Sequence, residues 1–367
     1  MTLRFEVEST DGQARTGTVH TERGSYQTPC FMPVGTRGAV RTLSSTDLED
    51  LGAAVVLGNT YHLMLRPGAE LIAGLGGLHA FTGWDGHILT DSGGYQVFSL
   101  KPDVDDDGVT FRSTYDGSKH RLTPEGAVEV QAMLGSDVQM VLDVCPPLPS
   151  PDAVVRQAVE RTAAWAARAR KAFCDLGRPE LNQFGIVQGG VDPALRTESA
   201  QHTVAVGFDG YAVGGLSVGE SRDAMLPALD AAVAELPSDR PRYFMGLSDP
   251  RGLVEAVARG VDMFDCVMPT RLARHGTLLT STGRMNLRNR QFAEDKGPID
   301  ESCGCSVCAR WSRAYLRHLL MVDEPTAPRL LTLHNIFWTF DLVNQIRSAI
   351  KSGTFAELRA TVADHWD

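Results

Sequence analysis

The sequence predicts an α/β fold: a (β/α)8 TIM barrel with an inserted zinc-binding subdomain near its C-terminus, in one catalytic domain over residues 1–367, the subdomain at about 284–345. Three observations predict it. Eight short apolar runs alternate with helical segments, at 31–34, 53–57, 87–90, 138–142, 184–187, 211–213, 242–245 and 261–264. Most of these runs give way to a polar residue or a glycine. Three cysteines crowd into six positions beyond the last run. Apolar strands that alternate with helices form parallel sheets covered on both faces. Eight of them suit a closed barrel, with a doubly wound open sheet as the alternative.

The elements carry local signals in order. Thr46 and Glu49 read as a capping box, and Gly52 as the stop of that helix. Asp116-Gly117 marks the turn of an extra hairpin between the third and fourth runs. Thr123 caps the next helix, Pro124 takes its first position and Gly135 ends it. Ser150-Pro151 opens an Ala-rich helix to about Leu176. The strand ends carry Asn59, Asp91, Asp143, Gln188, Gly214-Gly215, Gly246 and Asp265. A barrel gathers such groups on its C-terminal rim, where these folds build their sites. A strand-end Asp taken singly is more often a helix cap.

The chain has 367 residues, 43% of them hydrophobic, enough for a large core. No run of ~18 apolar residues is present, so no membrane span is expected. The start, MTLRFEVEST, lacks the apolar core of a signal peptide, which points to the cytoplasm. The seven cysteines then read as thiols or metal ligands rather than disulfides. A net charge of −10 argues against a general nucleic-acid binder, yet the segment 271–317 holds nine Lys/Arg against four Asp/Glu. A basic segment on an acidic body suits a polyanion.

Cys303, Cys305 and Cys308 need a fourth ligand to close a tetrahedral site. His334 supplies one, just ahead of an amphipathic segment with Ile336, Phe340, Val343, Ile346 and Ile350 on one face; His318 is the rival. Four protein ligands leave no open position, so this zinc would be structural, tying the basic segment to the start of the last helix.

Longer motifs are more specific. Gly58-Asn-Thr-Tyr-His62, Thr90-Asp-Ser-Gly-Gly-Tyr-Gln96, Gly185-Ile-Val-Gln-Gly-Gly190, Gly214-Gly-Leu-Ser-Val-Gly-Glu220 and the stretch from Met263 to Arg271 closely resemble the bacterial tRNA-guanine transglycosylases, in the same order along nearly the whole chain. The resemblance implies a zinc-bearing barrel enzyme that exchanges the wobble guanine of GUN-anticodon tRNAs for 7-aminomethyl-7-deazaguanine (preQ1), in queuosine biosynthesis, acting as a homodimer. It implies Asp265 as nucleophile on C1′ and Asp91 as general acid/base. Exchange without hydrolysis calls for a covalent double displacement of that kind. In that setting Asp143 suits the N1–H and amine donors of guanine. Gln188 and the Gly215 N–H suit O6, and Tyr95 and Met245 suit the two ring faces. Glu220 and the Leu216 backbone suit the aminomethyl cation. Arg271, Arg274, Arg284, Arg288 and Arg290 suit an anticodon loop with splayed bases.

Some positions depart from the family pattern. Val144 stands where most bacterial members carry Glu, Pro146-Pro147 replaces Thr-Pro, and Leu272, Ala273 and His275 vary the stretch after Asp265. Val218, where queuine-using eukaryotic relatives carry Gly, favours the smaller base. Three other classes are weighed: a non-catalytic RNA-binding partner, which would be expected to lose the Asp91/Asp265 pair; a zinc-containing glycoside hydrolase, which would show more than 7% aromatics; and a DNA base-exchange enzyme, which a DNA-against-tRNA assay separates.

Overall fold

The computed structural model describes residues 3–100 and 102–366; Met1, Thr2, Lys101 and Asp367, all within the predicted 1–367 domain, lie outside the described residues. Eight parallel strands close into a barrel: β1 (Cys30–Gly35), β2 (Val55–Gly58), β3 (His87–Thr90), β4 (Val138–Met140), β5 (Asn182–Val187), β6 (Gly210–Val213), β7 (Arg242–Phe244) and β8 (Met263–Cys266). Each pairs with its chain neighbour, and β8 closes on β1 with Asp265 opposite Met32. Closure rules out the open-sheet alternative. It also explains the continuous apolar runs: β5 is buried at all six positions, because side chains pointing inward meet the barrel core and those pointing outward meet helices.

The helical layer includes α1 (Ser45–Asp50), α2 (Pro124–Leu134), α3 (Asp152–Asp175), α4 (Pro193–Val206), α5 (Arg222–Glu235), α6 (Pro250–Val257) and α7 (Met268–Arg274), followed by α8 (Arg313–Met321), α9 (Thr326–Ser352) and α10 (Phe355–His365). Thr123, Pro124 and Gly135 bound α2 as the sequence predicts. The α1 cap sits earlier than predicted: Ser44, not Thr46, is the N-cap, and Asp47, not Glu49, returns the hydrogen bond. Both pairs satisfy the same spacing, and Asp47 is the one that also meets Arg329 of α9. Ser150 does not cap α3, which begins after Pro151; its hydroxyl donates instead to the Pro147 carbonyl. The extra hairpin is present as Val109–Arg112 against Lys119–Leu122, with Asp116-Gly117 in its turn and a short third strand, Asp103–Val104, at its edge.

An antiparallel sheet of Arg4–Asp11, Ala14–Thr21 and Gly24–Thr28 was not anticipated. It covers the N-terminal end of the barrel. Arg15 pairs with Asp262, just before β8, at 2.6 Å, and Arg23 pairs with Asp137, just before β4, at 2.7 Å. Charged strand-end residues at the closed end are thereby matched, which leaves the opposite rim open for chemistry.

A second, smaller apolar cluster lies outside the barrel. Ala273, Leu278, Leu287, Val307, Leu316, Leu320 and Leu331 pack there around the cysteine segment. His334 precedes Ile336 by two residues, but it lies inside α9, eight residues past its start, and not at the start of the helix. α9 is not the last helix either, since α10 follows. Pro328 in its first turn is tolerated because the first helical N–H groups have no intrahelical partner.

Candidate active site

Three carboxylates hang from the open rim: Asp91 directly after β3, Asp143 beyond β4, and Asp265 within β8. Asp91 is 8% exposed and receives four donors. Thr60 and Gly93 donate main-chain N–H groups to Oδ1 at 2.8 and 3.1 Å. The Asn59 and Gln96 side-chain amides donate to Oδ2 at 2.5 and 3.0 Å. The Thr60 hydroxyl also holds the Asp91 carbonyl at 2.5 Å. Gly93 has φ +81°, and a Cβ there would press within 3.2 Å of the Tyr61 nitrogen. Glycine at 93 therefore suits the turn that brings its N–H back to the carboxylate. Burial raises the Asp91 pKa, and the four donors oppose that rise.

Asp265 is held differently. Tyr243 of β7 donates its hydroxyl to Oδ1 at 2.5 Å and the Gly246 N–H donates to the same oxygen at 2.8 Å. Oδ2 has no hydrogen-bond partner among the described residues. Burial pushes the carboxyl up to about 6, with the charge of Asp91 adding to the rise and the two donors resisting it. Asp143 is likewise pushed up to about 6 by burial, against the hydrogen bond from Gln188 and with Asp91 repelling it. Asp91 thus acts on both of the others, and all three share one electrostatic neighbourhood.

Gln188 stands next to Asp143, and the Gly214-Gly215 pair next to Gln188. Gln188 donates Nε2 to Asp143 at 2.5 Å, and its buried Oε1 has no partner. Gly215, at φ +66°, lies so close to that oxygen that a Cβ would collide with it. Leu216 is buried beside it. Glu220 turns its carboxylate back on its own loop, accepting from the N–H of Ser217 and, at 3.0 Å, from that of Val218. Ser217 holds a φ of +59°, a strained value that this carboxylate clamp sustains. Met245, after β7, packs toward Gly214, and Tyr95 stands 64% exposed on the short helix after Gly93. An aromatic ring left that open to water beside buried carboxylates is free to stack on a planar group.

The basic residues fall on one stretch. Arg271 and Arg274 lie on α7, three residues apart and immediately beyond Asp265, while Arg284, Arg288 and Arg290 are exposed on the strand and turn that follow. Arg274 is half-buried with one guanidinium nitrogen unpartnered.

Cys303, Cys305, Cys308 and His334 form a cluster that could hold a metal ion, their ligand atoms all within 4.8 Å of one another. The His334 Nδ1 lies 3.7, 3.4 and 3.4 Å from the three sulfurs. A tetrahedron built on the usual Zn–S and Zn–N bond lengths has S···N edges of about 3.6 Å. The His334 Nε2 donates to the Leu279 carbonyl at 2.8 Å, so Nδ1 is the nitrogen free to face the sulfurs. His318 is exposed on α8 and takes no part.

Sequence reasoning missed Tyr243 and Arg196. Tyr243 was hidden inside an apolar run; only its register next to Asp265 gives it a role. Arg196 lies in the helix after Gly190 and looks like an ordinary surface residue in the sequence, although it is fully buried.

The model of the family described as "Queuine tRNA-ribosyltransferase" matches residues 10–367. Proteins named queuine tRNA-ribosyltransferase are similar along their length. The one from Sphingopyxis alaskensis is 50% identical over 364 residues, covering 98% of this chain and 97% of that protein. The one from Solidesulfovibrio magneticus is 52% identical, with 97% and 96% covered. That from Symbiobacterium thermophilum is 49% identical, with 100% and 92% covered. The chain therefore belongs to the queuine tRNA-ribosyltransferase family of pentosyltransferases.

Proposed function

We propose that this chain exchanges the wobble guanine of GUN-anticodon tRNAs for preQ1 by a covalent double displacement, with Asp265 as nucleophile and Asp91 as general acid/base. The observation that carries the assignment is the asymmetry between the two carboxylates. Asp91 has both oxygens occupied, whereas Asp265 has its two donors on Oδ1 and leaves Oδ2 uncommitted. An oxygen that must bond to C1′ has to be free of hydrogen bonds. The Tyr243 and Gly246 donors then fix the carboxylate plane without quenching that oxygen.

Asp91 suits proton traffic. Main-chain N–H groups occupy Oδ1, so a proton must ride on Oδ2, whose two donors are side-chain amides that can rotate away. As the C1′–N9 bond breaks, that proton passes to the departing guanine; the ionised Asp91 then takes a proton from the incoming base, which displaces Asp265 from C1′. Asp143 and Gln188 hold the pocket ready between turnovers. Guanine N1–H and its amine replace the Gln188 amide on Asp143, and the released Nε2 turns to O6 beside the Gly215 N–H. Tyr95 and Met245 cover the ring faces. Glu220, with the Leu216 backbone, receives the aminomethyl cation at the cost of one of its loop hydrogen bonds.

The supporting assignments follow the same reading. The Cys3His cluster would hold one structural zinc per chain, which would cross-link α9 to the cysteine segment and supply no chemistry to the rim. Arg271, Arg274, Arg284, Arg288 and Arg290 would bind the anticodon-loop phosphates of tRNA. The active form would be a cytoplasmic homodimer, with guanine and preQ1 as the small-molecule bases. Among the described residues no helix is long and apolar enough to cross a membrane. The test is incorporation of radiolabelled guanine into unmodified tRNA by the wild type and by Asp265→Asn. We expect label only with the wild type, together with a denaturation-resistant protein–RNA adduct; equal rates in both would remove Asp265 from the chemistry.

A further inference from the structure

Arg196 lies in the first turn of α4 and is fully buried. Its guanidinium donates only to backbone carbonyls. Nε reaches Gly190 O at 2.7 Å, Nη1 reaches Val187 O at 2.9 Å and Gly214 O at 2.7 Å, and Nη2 reaches Gly215 O at 3.2 Å. No carboxylate forms an ion pair with it among the described residues. Burial lowers its pKa to about 10, so it stays charged at neutral pH. Cys145 and Glu220 favour that charge, and burial pushes the Cys145 thiol up to about 12.

A buried cation with no paired anion is costly. A neutral amide could tie two glycine loops together at far lower cost, so clamping alone does not account for a charge here. The placement does. The Gly214 carbonyl that Arg196 grips and the Gly215 N–H belong to one peptide unit. Donation to the carbonyl draws electrons from the amide nitrogen and makes its N–H a stronger donor. The Gly215 N–H has no partner among the described residues, and Gly215 lies against Gln188, the residue that donates to Asp143.

We propose that Arg196 is a positioning residue for base exchange: it polarises the Gly214–Gly215 peptide so that the Gly215 N–H takes up the negative charge that develops on O6 of the departing purine. The inference rests on the base-exchange reading above. As Asp265 bonds to C1′, the C1′–N9 electron pair leaves with the purine and spreads into O6, until Asp91 delivers the proton. O6 carries more charge at that moment than in the bound neutral base. The donor therefore acts chiefly on kcat and only weakly on KM.

The test is a cycle of two perturbations. RNA stem-loops with guanosine or with 2-aminopurine riboside at the exchanged position, the latter lacking O6, are assayed for incorporation of radiolabelled guanine. Wild type, Arg196→Met and Arg196→Lys are compared after circular dichroism has confirmed folding. We expect the wild type to prefer the guanosine RNA, and that preference to fall about tenfold in Arg196→Met, through kcat. Arg196→Lys, which keeps the charge and serves as the second variant should the first not fold, should fall in between. A folded variant that keeps the wild-type preference overturns the proposal, and so does a wild type that exchanges both RNAs equally well. Wild type that labels neither RNA would instead sink the base-exchange reading itself.

Discussion

Asp265→Asn should abolish exchange and at the same time make the protein more stable at neutral pH. The substitution is isosteric, and an Asn Oδ1 still accepts from Tyr243 and Gly246, so packing and both hydrogen bonds are kept. What disappears is a carboxylate that burial and Asp91 push from 3.8 up to about 6. A folded-state pKa above the unfolded one means that the folded protein binds the proton more tightly. Its relative stability is greatest below 3.8 and is lost as pH rises through about 6. The shift of roughly two units corresponds to about 3 kcal/mol of strain carried by the ionised wild type above that window. The Asn variant does not carry it. With an unfolding entropy of about 2.1 cal/mol/K per residue, a chain of 367 residues gains about 4 °C in Tm for that energy. Scanning calorimetry of both proteins at pH 4 and pH 7.5 checks it. The Tm difference should be near zero in acid and close to the full value at pH 7.5. The same difference at both pH values, or an Asn variant that melts earlier at neutral pH, would refute the claim that this site stores charge strain.

Four further outcomes follow from the geometry. In the wild type, kcat/KM should fall as pH drops below about 6, where Asp265 takes up its proton; a profile flat to pH 5 would contradict the nucleophile assignment. Tyr243→Phe removes a donor that holds Asp265 ionised, so the acid limb of that profile should move up by about one pH unit. Cys303→Ala should cost the protein its metal, measured as zinc per chain by elemental analysis, and lower its Tm; a zinc-replete, fully stable variant would reject the structural site. Arg271→Ala and Arg274→Ala should each raise KM for tRNA and flatten its logarithmic salt dependence by about one unit, with kcat for bound substrate kept.

How much of this was legible in the sequence depends on the range of the interactions. The barrel was, because each strand is buried on both faces and shows as an apolar run with a polar end. The Cys3His cluster was too, down to His334, since three closely spaced thiols leave few candidates for the fourth ligand. The N-terminal sheet was not: its strands mix exposed and buried positions, and what fixes them is pairing of Arg15 and Arg23 with acids more than 100 residues away in the chain. The α1 cap shifted because Ser44 and Thr46 offer equal local chemistry and contact with Arg329 distinguishes them. Arg196 was illegible for the same reason, since its partners are carbonyls, which every residue has.

The distribution of charge across the rim fits the reaction proposed for it. Asp91 repels both Asp143 and Asp265, yet no Lys or Arg pairs with any of the three among the described residues; their donors are amides, a phenol and main-chain N–H groups. A cation in direct contact would lower each pKa. It would also tie up the Asp265 lone pairs and make Asp91 too weak a base to recover its proton. Neutral donors fix the carboxylates in place and leave them reactive. Arg196, a fully buried guanidinium, stands behind the Gly214–Gly215 peptide, which the proposed reading places on the base side. On the proposed reading, negative groups would face the sugar carbon that becomes electron-poor, and the positive group would lie behind the purine that becomes electron-rich. That polarity matches the charge separation of a glycosidic bond at its breaking point, and serves departure of one base and entry of the next alike. Moving the cation to the sugar side, as in Tyr243→Lys, should therefore suppress exchange more than deleting the hydroxyl in Tyr243→Phe does; equal rates for the two variants would show that the sign of the field is irrelevant.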